Sequence, residues 1–522
     1  INILTNQFDP HSSYLSPRSA EDFDMNMSLK LSGIGALLGV DDDYTKVISL
    51  VPGGPAEKSG KIKPEDRISK IKQFDDDKFT DVVGWRIDEV VDLIRGDINT
   101  EVQIEFISFE SDIDNRKVVT LKREEVKLED RAAQSDIYEI DENRIGVIDL
   151  PSFYIDFEEY SKRNKDYKSS SKDVKNILEE FNEDGVDAVV LDLRNNGGGA
   201  LIEANKIIGL FVSSGPTVQV KQKRGYIQPY GDSRAVQVWN KPVIVLVNRY
   251  SASASEIVAG AIQDYRRGLV IGQRTFGKGT VQTVMPVKNY MPAIFPKDTK
   301  ERAGAIKVTI QKFYRIAGGS TQLRGVVPDI ILPSYRDELE TGEESLPYAL
   351  EHDSIEKMKY QSSDLKNTKD QLMKLSKERV KAENEFNYII EDNKRDKEIN
   401  DRNTVSLNIE KRLEENKLER ERRKNRNIER KKLFEGIEKK EKGKFKVTRL
   451  TLDNFAKAEI ESSTNFKRPE DESMRRAKNK EEELAEETPD YPHFLGPTKS
   501  EALHIAQDII SVLKIKTADS GS

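Results

Sequence analysis

The sequence predicts a multidomain α+β protein, in which a β-rich domain is inserted beside a layered α/β domain and a charged helical C-terminal extension follows. The chain has 522 residues, more than one hydrophobic core accommodates, so about three domains are expected. Short β-type runs fill the first part, strands alternate with helical patterns in the middle, and charge is concentrated beyond about residue 350. The predicted parts are a lead-in of residues 1–28 that belongs to the body of the α/β domain, the β-rich domain of residues 29–125, the α/β domain of residues 126–335, and a mainly helical C-terminal domain of residues 336–522.

The lead-in is predicted to be a loop, because Asp9-Pro10 followed by Ser12 favours a turn. We interpret His11 as a structural residue of this turn. The chain opens at Ile1 without Met, in what resembles the middle of a helix, so we expect the natural N-terminus to lie upstream.

The β-rich domain is predicted from short runs of β-branched and aromatic residues between Gly and Pro turns. The predicted strands are Lys46–Val51, Val102–Phe106 and Val118–Leu121. One helix is predicted over Val82–Ile94, because apolar residues recur on one side at helical spacing.

The α/β domain is predicted from apolar strands that alternate with helical patterns. The predicted strands are Arg144–Leu150, Ala188–Leu193, Val243–Val247 and Leu269–Gly272. The predicted helices are Val174–Asn182, Leu201–Phe211 and Ser255–Asp264. Such alternation indicates a sheet with helices packed on it.

The C-terminal region changes in character beyond Tyr335. Lys357–Lys444 is dense in Lys, Arg, Glu and Asn, and its leucines are too scattered for a sustained heptad. We therefore expect a loosely packed helical extension whose charges form a solvated face. Phe445–Ile515 recovers apolar residues and is expected to be compact.

Composition excludes several classes of function. A formal net charge of −7 offers no basic surface for nucleic acid, so no nucleic-acid partner is expected. The lack of cysteine excludes disulfides, thiolate metal sites and cysteine nucleophiles. No run in the sequence approaches the roughly 20 apolar residues that cross a bilayer, and no signal-peptide pattern heads the chain, so no transmembrane segment is expected within it.

One serine and one lysine form a candidate hydrolytic pair. Ser253 lies in a small-residue run before a predicted helix, and Lys278 lies in a Gly-Lys-Gly turn after a predicted buried strand. A serine hydroxyl is a weak nucleophile until a base removes its proton, and a lysine does so only as a neutral amine. Apolar neighbours are expected to lower the pKa of the lysine by desolvation. Gln282 is expected to hold the amine by a hydrogen bond without adding charge.

A histidine is the alternative base. The four histidines are His11, His352, His493 and His504, and all lie far from Ser253 along the chain. Sequence distance alone does not exclude a Ser–His pair, but the lysine is favoured.

Backbone donors for an oxyanion are predicted at two turns. Asn195–Gly199 ends a predicted strand and precedes a helix, so its N–H groups point toward a place where negative charge can develop. Ala254, directly after the serine at the start of its own helix, supplies the second N–H. Taken alone, each feature has a simpler interpretation: a capped helix start, an ordinary glycine turn, a solvated Lys278, and a surface ion pair of Asp264 with Arg266 or Arg267.

Five segments occur together in one order: Asp9–Tyr14, Asn195–Gly199, Ser251–Glu256, Phe276–Gln282 and Gly325–Asp329. They resemble the tail-specific, or C-terminal-processing, proteases over about residues 1–335. Ser253 and Lys278 lie 25 residues apart, as in the Ser–Lys dyad of that family, and this spacing selects Ser253 over Ser251 and Ser255. The resemblance implies a crotonase-like protease domain and a serine-type endopeptidase.

The same resemblance implies roles for four further residues. Gln282 matches the residue that orients the lysine, and Asp264 matches an acidic position close to the site. Gly198 and Ala254 match the donors of the oxyanion hole. No cofactor and no metal are implied.

A second resemblance lies in the β-rich domain. Leu31–Leu38 and Val51–Gly60, followed by Lys63–Ile68, look like a PDZ domain. Such a domain holds a C-terminal carboxylate with backbone N–H groups and adds the peptide as an edge strand. The residues expected to bind the substrate tail are Leu31, Gly33, Ile34, Gly35, Ala36 and Leu37.

The charged C-terminal region is similar to the helical extension of the long Gram-negative members. The resemblance implies a periplasmic enzyme, at the periplasmic face of the inner membrane, whose substrates are proteins with apolar C-termini. It also implies a lipoprotein adaptor as a partner.

Two other functions stay open. A PDZ scaffold with an inactive protease fold is one, although intact Ser253, Lys278 and Gln282 argue against it. The other is a phosphate-binding loop, because Gly272–Lys278 fits Gly-x-x-x-x-Gly-Lys after a strand, although Gly279 stands where that motif requires Ser or Thr.

Overall fold

The structure is a computed structural model, and it describes the chain except for a set of short stretches and one longer one. The residues outside the description are 52, 110–115, 128–130, 223–224, 232–235, 293, 295, 297–302, 336–340, 363–365, 442–444, 451–456, 461–487, 490 and 520–522. The described residues form two compact units. The smaller unit contains residues 28–131, and the larger unit contains residues 1–27 and the described residues from 132 onward.

The elements are numbered in chain order. The helices are α1 (Asn2–Thr5), α2 (Pro17–Ser28), α3 (Pro55–Ser59), α4 (Ile87–Ile94), α5 (Phe157–Ser161), α6 (Ser170–Glu183), α7 (Leu201–Phe211), α8 (Ala254–Asp264), α9 (Lys366–Ala382), α10 (Asn384–Arg402), α11 (Ile409–Glu441) and α12 (Gly496–Asp519). The strands are β1 (Ser13–Leu15), β2 (Lys30–Gly33), β3 (Ala36–Asp41), β4 (Tyr44–Leu50), β5 (Arg67–Gln73), β6 (Thr80–Asp81), β7 (Glu101–Ile107), β8 (Arg116–Lys122), β9 (Glu124–Lys127), β10 (Gln134–Ile140), β11 (Asn143–Asp149), β12 (Ala188–Asp192), β13 (Val218–Lys221), β14 (Ile227–Tyr230), β15 (Val243–Val247), β16 (Leu269–Gly272), β17 (Thr280–Pro286), β18 (Ala305–Tyr314), β19 (Ile330–Ile331), β20 (Phe445–Leu450) and β21 (Lys457–Ile460).

The smaller unit is built on one antiparallel sheet in the order β3-β4-β5-β7-β8, with β6 paired to β5. Strands β2 and β9 form a separate antiparallel pair. Alternate residues such as Val47, Ile68 and Ile104 are completely buried, because every second side chain of a strand faces the core. The three strands predicted from the sequence are confirmed as β4, β7 and β8.

The predicted helix of this unit begins five residues too early. The structure starts α4 at Ile87, whereas Val82 donates its N–H to the carbonyl of Ser69 in β5. Gly84 then takes a positive φ of 76°, which ends any helical path through this stretch. Pairing of the backbone with the sheet therefore overrides the helical spacing of the apolar residues.

The larger unit contains an eight-stranded sheet in the order β19-β16-β15-β12-β11-β10-β20-β21. Strands β11, β12, β15, β16 and β19 run parallel, and β10, β20 and β21 extend the sheet in antiparallel pairs. The four predicted strands and the three predicted helices are confirmed as β11, β12, β15, β16 and α6, α7, α8. These strands were predictable because their central residues are buried on both faces and hence apolar, in β15 along the whole strand.

A second sheet, in the order β1-β18-β13-β14 with β17 paired to β18, was not predicted. Its strand β1 lies in the lead-in, so the prediction of a loop there is wrong. Tyr14 of β1 pairs with Ile306 of β18, nearly three hundred residues away. A local sequence pattern does not predict such a pairing. Helix α2 was not predicted either, although the sequence contains two signals of a helix start. Ser16 Oγ accepts the N–H of Ser19 at 3.1 Å as an N-cap, and Pro17 is the first residue of the helix.

The C-terminal region is more closely packed than predicted within Lys357–Lys444, where Leu372 of α9 and Phe386 of α10 are buried in the core cluster. Its α12 agrees with the compact segment predicted for Phe445–Ile515. Helix α12 lies against β11, β12 and β15, and its Leu503 and Ile505 share one apolar cluster with Ile145 and Val190 of the sheet. Buried residues at 502, 505, 506 and 509 give α12 the apolar stripe of a core helix. The predicted solvated face holds for Leu413 and other residues of α11, which is exposed along much of its length. Parts of the predicted compact segment, residues 451–456 and 461–487, lie outside the described residues.

Among the described residues, none of the helices combines the length and the apolar composition needed to cross a bilayer.

Candidate active site

Ser253 lies between β15 and α8, at the carboxyl edge of the parallel strands. Its backbone adopts φ 56° and ψ −110°, an unfavourable conformation for a residue with a side chain. The flanking serines are buried and donate their hydroxyls to backbone carbonyls, Ser251 to Leu193 at 2.7 Å and Ser255 to Asn196 at 2.8 Å. Ser253 alone of the three is partly exposed. The structure thus separates it from its neighbours on grounds independent of spacing.

A buried carboxylate joins the serine to the lysine loop. Glu256 is completely buried, and its Oε2 accepts the backbone N–H of Ser253 at 2.8 Å and that of Lys278 at 2.9 Å. Its Oε1 accepts the hydroxyl of Thr275 at 2.7 Å and the N–H of Gly277 at 2.8 Å. The backbone nitrogens of Ser253 and Lys278 consequently lie within roughly 6 Å of each other, since both reach one oxygen. Burial raises the pKa of Glu256 to about 7, although these hydrogen bonds act to lower it.

Only part of this hydrogen bonding was predictable from the sequence. A Ser-x-x-Glu pattern before an apolar run is the signature of a capping box, and it predicts a bond from Glu256 to the serine N–H. The bonds to Gly277 and Lys278 depend on how the loop after β16 folds back, which the pattern does not specify.

Lys278 lies in the loop between β16 and β17, which is held on several sides. Gly277 has a φ of 98° and its carbonyl accepts the N–H of Leu323 at 2.8 Å. Gly279 donates to Gln322 Oε1 at 2.8 Å, and a Cβ at Gly279 would come within 2.7 Å of the Gln322 nitrogen. Both glycines are therefore required by the close backbone approach.

The surroundings of Lys278 favour its neutral form. Burial lowers the pKa of Lys278 to about 8, and the nearby charge of Lys307 acts in the same direction. Glu343, Glu256 and Asp9 oppose this shift. The resulting pKa leaves a substantial fraction of neutral amine at neutral to mildly basic pH.

Gln282 stands on β17, opposite Thr309 of β18. Its Nε2 donates to the hydroxyls of Thr280 and Thr309, each at 2.9 Å. The predicted role of Gln282 in orienting Lys278 stays a prediction.

The Asn195–Gly199 turn lies directly beside the serine. Ala252 donates its N–H to the carbonyl of Asn196 at 3.0 Å, and a Cβ at Gly198 would stand 2.8 Å from the Cβ of Ser253 and 3.3 Å from the nitrogen of Ala254. The structure therefore brings Gly198 and Ala254 together at Ser253. Their role as oxyanion donors stays a prediction.

One bond within this turn bears on that prediction. The N–H of Gly198 donates to Asn196 Oδ1 at 2.9 Å, and Asn196 Nδ2 in turn donates to the carbonyl of Leu150 at 2.8 Å. An oxyanion at Gly198 must therefore compete with a buried side-chain acceptor, a feature that the sequence did not indicate.

The expectation that Asp264 lies close to the serine is wrong. Asp264 ends α8, whereas Ser253 precedes it, so the two are separated by about 15 Å along the helix axis. Its carboxylate pairs with Arg315, at 2.5 Å from Oδ1 to Nη2. The partner of Asp264 is therefore Arg315, just after β18, rather than Arg266 or Arg267.

The phosphate-binding alternative is wrong as well. A phosphate-binding loop leads from a strand into a helix whose N-terminus faces the phosphates. Here Gly272 ends β16 and the residues after Lys278 begin strand β17. The loop lacks the helix that this chemistry needs.

The residues expected to bind a substrate tail lie in the smaller unit. Leu31 and Gly33 are in β2, Ile34 and Gly35 form the connection, and Ala36 and Leu37 open β3. Among the described residues, β3 pairs with β4 on one side only and so is an edge strand. Helix α4 packs against β3, and Leu37 is 47% exposed on that strand.

The sequence matches three family profiles along its length. Residues 144–332 match peptidase family S41, residues 22–106 match the PDZ domain, and residues 336–511 match the C-terminal domain of tail-specific proteases. A tail-specific protease of Haemophilus influenzae is 40% identical over 420 residues, which are 80% of this chain and 57% of that protein. A carboxy-terminal-processing protease of Bartonella bacilliformis is 31% identical over 333 residues, which are 64% of this chain and 68% of that protein.

Among solved structures, the PDZ domain of a carboxy-terminal protease from Vibrio cholerae, in complex with peptide, is 42% identical with a TM-score of 0.18. It covers 19% of this chain and is itself covered completely, at 100%. The chain belongs to peptidase family S41. Within it, the chain is a member of the carboxy-terminal-processing, or tail-specific, proteases and carries a PDZ domain. It spans 57% of the length of the Haemophilus protein.

Proposed function

We propose that the chain is an endopeptidase in which Ser253 is the nucleophile and Lys278 the general base. The neutral amine of Lys278 takes the hydroxyl proton as Ser253 Oγ attacks the scissile carbonyl, and the ammonium then protonates the leaving amine. Water hydrolyses the acyl-enzyme in the same way and restores both groups. The observation that supports this best is the shared hydrogen bonding of both residues to Glu256, beside a lysine whose pKa burial lowers to about 8.

The N–H groups of Gly198 and Ala254 are proposed to stabilise the oxyanion. Their proximity to Ser253 supports this assignment, as does the position of Ala254 in the first turn of α8, where N–H groups lack helical partners. The hydrogen bond from Gly198 to Asn196 Oδ1 must then break or be shared as the tetrahedral intermediate forms.

Substrate recruitment is proposed to occur at the PDZ domain. A peptide ending in an apolar residue would pair with the free edge of β3, with its carboxylate held by N–H groups between Gly33 and Ala36. This proposal explains why a chain with one candidate active site carries a separate peptide-binding module. A periplasmic location and a lipoprotein adaptor stay predictions.

The test compares degradation of an unfolded protein that ends in apolar residues with degradation of the same protein ending in Asp-Asp. We expect the wild type to degrade the first much faster, and Ser253→Ala and Lys278→Ala to lose at least about a hundredfold in rate, as is usual for an absent nucleophile or base. Lys288→Ala, an exposed lysine just after β17, serves as the control.

Retention of wild-type rates by Lys278→Ala would show that another group is the base. Tail binding without any hydrolysis by the wild type would instead favour the inactive scaffold.

A further inference from the structure

A chain of hydrogen bonds leads from the lead-in to the strand that follows Lys278. The carboxylate of Asp9, 5% exposed, accepts the hydroxyl of Thr309 at 2.8 Å through Oδ1. Thr309 Oγ1 in turn accepts from Gln282 Nε2 at 2.9 Å, and Gln282 Nε2 also donates to Thr280 Oγ1 at 2.9 Å. Residues far apart in sequence thus share one partly buried network, and the charge of Asp9 acts on the candidate base Lys278.

The direction of these bonds is set at Asp9. An ionised carboxylate accepts hydrogen bonds but cannot donate them, so the single hydroxyl hydrogen of Thr309 points to Asp9. The oxygen of Thr309 is then an acceptor, which requires the nitrogen end of the Gln282 amide on that side. Both N–H groups of the amide are used by the two threonines. The amide oxygen is therefore the end that remains for Lys278.

Asp9 itself is firmly held. His11 donates its backbone N–H to Oδ1 at 2.9 Å, and the Ser12 hydroxyl donates to Oδ2 at 2.5 Å. Ser12 Oγ also accepts the N–H of Thr309 at 3.1 Å, which fastens this turn to β18. The pairing of β1 with β18 anchors the same segment one residue further on, at Ser13 and Lys307.

We propose that Asp9 and Thr309 are positioning residues that fix the orientation of the Gln282 amide, so that its oxygen accepts from the amine of Lys278 and aims that amine at Ser253. This inference rests on the proposed function, in which Lys278 is the base and Gln282 orients it. It assigns to the lead-in a part in catalysis that a plain turn would not have.

An amide whose two ends are nearly the same size has no steric reason to prefer one orientation. Without Thr309 Oγ1, one N–H of Gln282 loses its acceptor and the amide is free to turn its nitrogen toward Lys278. Two donors would then face each other. The amine would be less well aimed, and its protonated form would be stabilised less.

The test is Thr309→Val, which removes the hydroxyl at nearly constant volume and alters no charge. With an untethered short peptide as substrate, we expect kcat to fall roughly tenfold with KM little changed, since one oriented hydrogen bond is lost at the reacting centre. The acidic limb of the pH–rate profile should also move to lower pH, by on the order of half a unit, because the ammonium loses an acceptor.

The charges that face Lys278 are the same in this variant and the wild type. They are Lys307, Glu343, Glu256 and Asp9, together with His11, whose Nε2 lies 2.7 Å from Glu343 Oε2. A shift of the limb in Thr309→Val therefore reports on hydrogen bonding rather than on a changed field.

Three further variants complete the experiment. Thr309→Ser keeps the hydroxyl and should restore kcat and the profile. In Asp9→Asn, the new amide can donate to Thr309 and reverse the direction of the hydrogen bonds, so kcat should fall as well. The double variant Asp9→Asn/Thr309→Val should have a kcat no lower than that of the less active single variant. Thr283→Val, the same change on the neighbouring strand β17, is the matched control and should behave as wild type.

The outcomes separate this inference from the proposed function. If Lys278→Ala is inactive and Thr309→Val equals the wild type in kcat and pH profile, the positioning role alone is overturned. Loss of thermal stability in Thr309→Val without a change in kcat or profile would do the same. An active Lys278→Ala would instead overturn the proposed base.

Discussion

Lys278 is held between opposing influences at the scale of a single residue. Burial and Lys307 lower its pKa, while Glu343, Glu256 and Asp9 raise it, and the balance is a pKa of about 8. A buried lysine without these carboxylates would be neutral at lower pH, and one without burial would stay protonated. The candidate base is therefore tuned by its neighbours rather than by its own chemistry.

The first prediction follows from that pKa. Below pH 8 the amine is mostly protonated and cannot accept the serine proton, so kcat/KM should rise with pH from 6 to 9 with a midpoint near the folded pKa of Lys278. Lys278→Arg should be inactive throughout, since a guanidinium does not deprotonate in proteins. A pH–rate profile on a peptide substrate measures both. A rate that falls over this range would contradict the lysine as base.

A second prediction concerns Glu256. The carboxylate accepts four hydrogen bonds through two oxygens, whereas an amide has one oxygen and brings two more donors into a buried site. Glu256→Gln should therefore lower the free energy of unfolding by at least about 2 kcal/mol, from buried donors left without acceptors, and should lower kcat as the two loops separate. Denaturant unfolding measures the first effect. Glu158→Gln, at an exposed carboxylate of α5, is the control, and an equal effect there would remove the argument.

The sequence indicated the residues of the candidate site better than their bonds. Ser253 and Lys278 were selected by spacing and by their glycine and small-residue contexts, which are local. The bond between Gly198 and Asn196, and the contact of Thr309 with Asp9, depend on side-chain orientation and on β pairing across most of the chain. Asp264 was misplaced because position along a helix does not say which end faces the site.

At the scale of elements, strands were predictable where both faces are buried. Strand β15 is Val-Ile-Val-Leu-Val and stands out on composition alone. Strand β18 alternates apolar residues with Lys307, Thr309 and Gln311, so its period of two was present in the sequence and could have been found. Strands β13 and β14 contain Gln, Lys and Pro, and only their neighbours in the sheet make strands of them.

Helix α12 provides a third prediction. Its Lys499, 5% exposed, lies 3.0 Å from Asp149 Oδ2 at the end of β11 and 3.8 Å from Asp192 Oδ2 at the end of β12. Arg194 pairs with Asp192 at 2.6 Å, next to the Asn195–Gly199 turn. Burial raises the pKa of Asp149, and Lys499 opposes that rise. Asp192 has a pKa of about 2 despite its burial, because Arg194 and Lys499 stabilise its charge.

Lys499→Met removes the cation and leaves the buried carboxylate of Asp192 and the partly buried carboxylate of Asp149 without it. The pKa of Asp149 should rise further, and a carboxyl whose folded pKa lies above its unfolded value loses its contribution to stability as pH rises through the folded pKa. The deficit in unfolding free energy should therefore be small near pH 5 and grow toward pH 8, to about 3 kcal/mol, the usual cost of breaking a buried pair. Urea unfolding at several pH values measures this. Gln507→Met on the same helix is the control, and a deficit independent of pH would contradict the ionic explanation.

At the scale of the whole molecule, the proposed function assigns recruitment to the smaller unit and chemistry to the larger one. The last prediction tests it at Leu37, which is exposed on the edge strand β3, so a change there leaves the core of the smaller unit intact. Gly35 is a poorer choice, because its φ is 71° and a Cβ would stand 3.1 Å from Gly54, so any side chain would strain the turn. Leu37→Glu should repel a terminal carboxylate and raise KM for a protein with an apolar tail by roughly tenfold or more. Cleavage of a short peptide that reaches Ser253 unaided should be unchanged.

The control for Leu37→Glu is Val40→Glu, which places the same charge three residues further along the same exposed strand, where no terminal carboxylate is expected. Peptide binding to the inactive Ser253→Ala chain adds a readout without hydrolysis, and a peptide amidated at its C-terminus should bind much more weakly than the free acid if N–H groups hold the carboxylate. Equal losses of Leu37→Glu on tailed protein and short peptide would mean that the PDZ domain acts on the active site itself. Because both substrates depend on the same catalytic groups, equal losses would exclude recruitment as the role of the PDZ domain. A structural or gating role would remain for it.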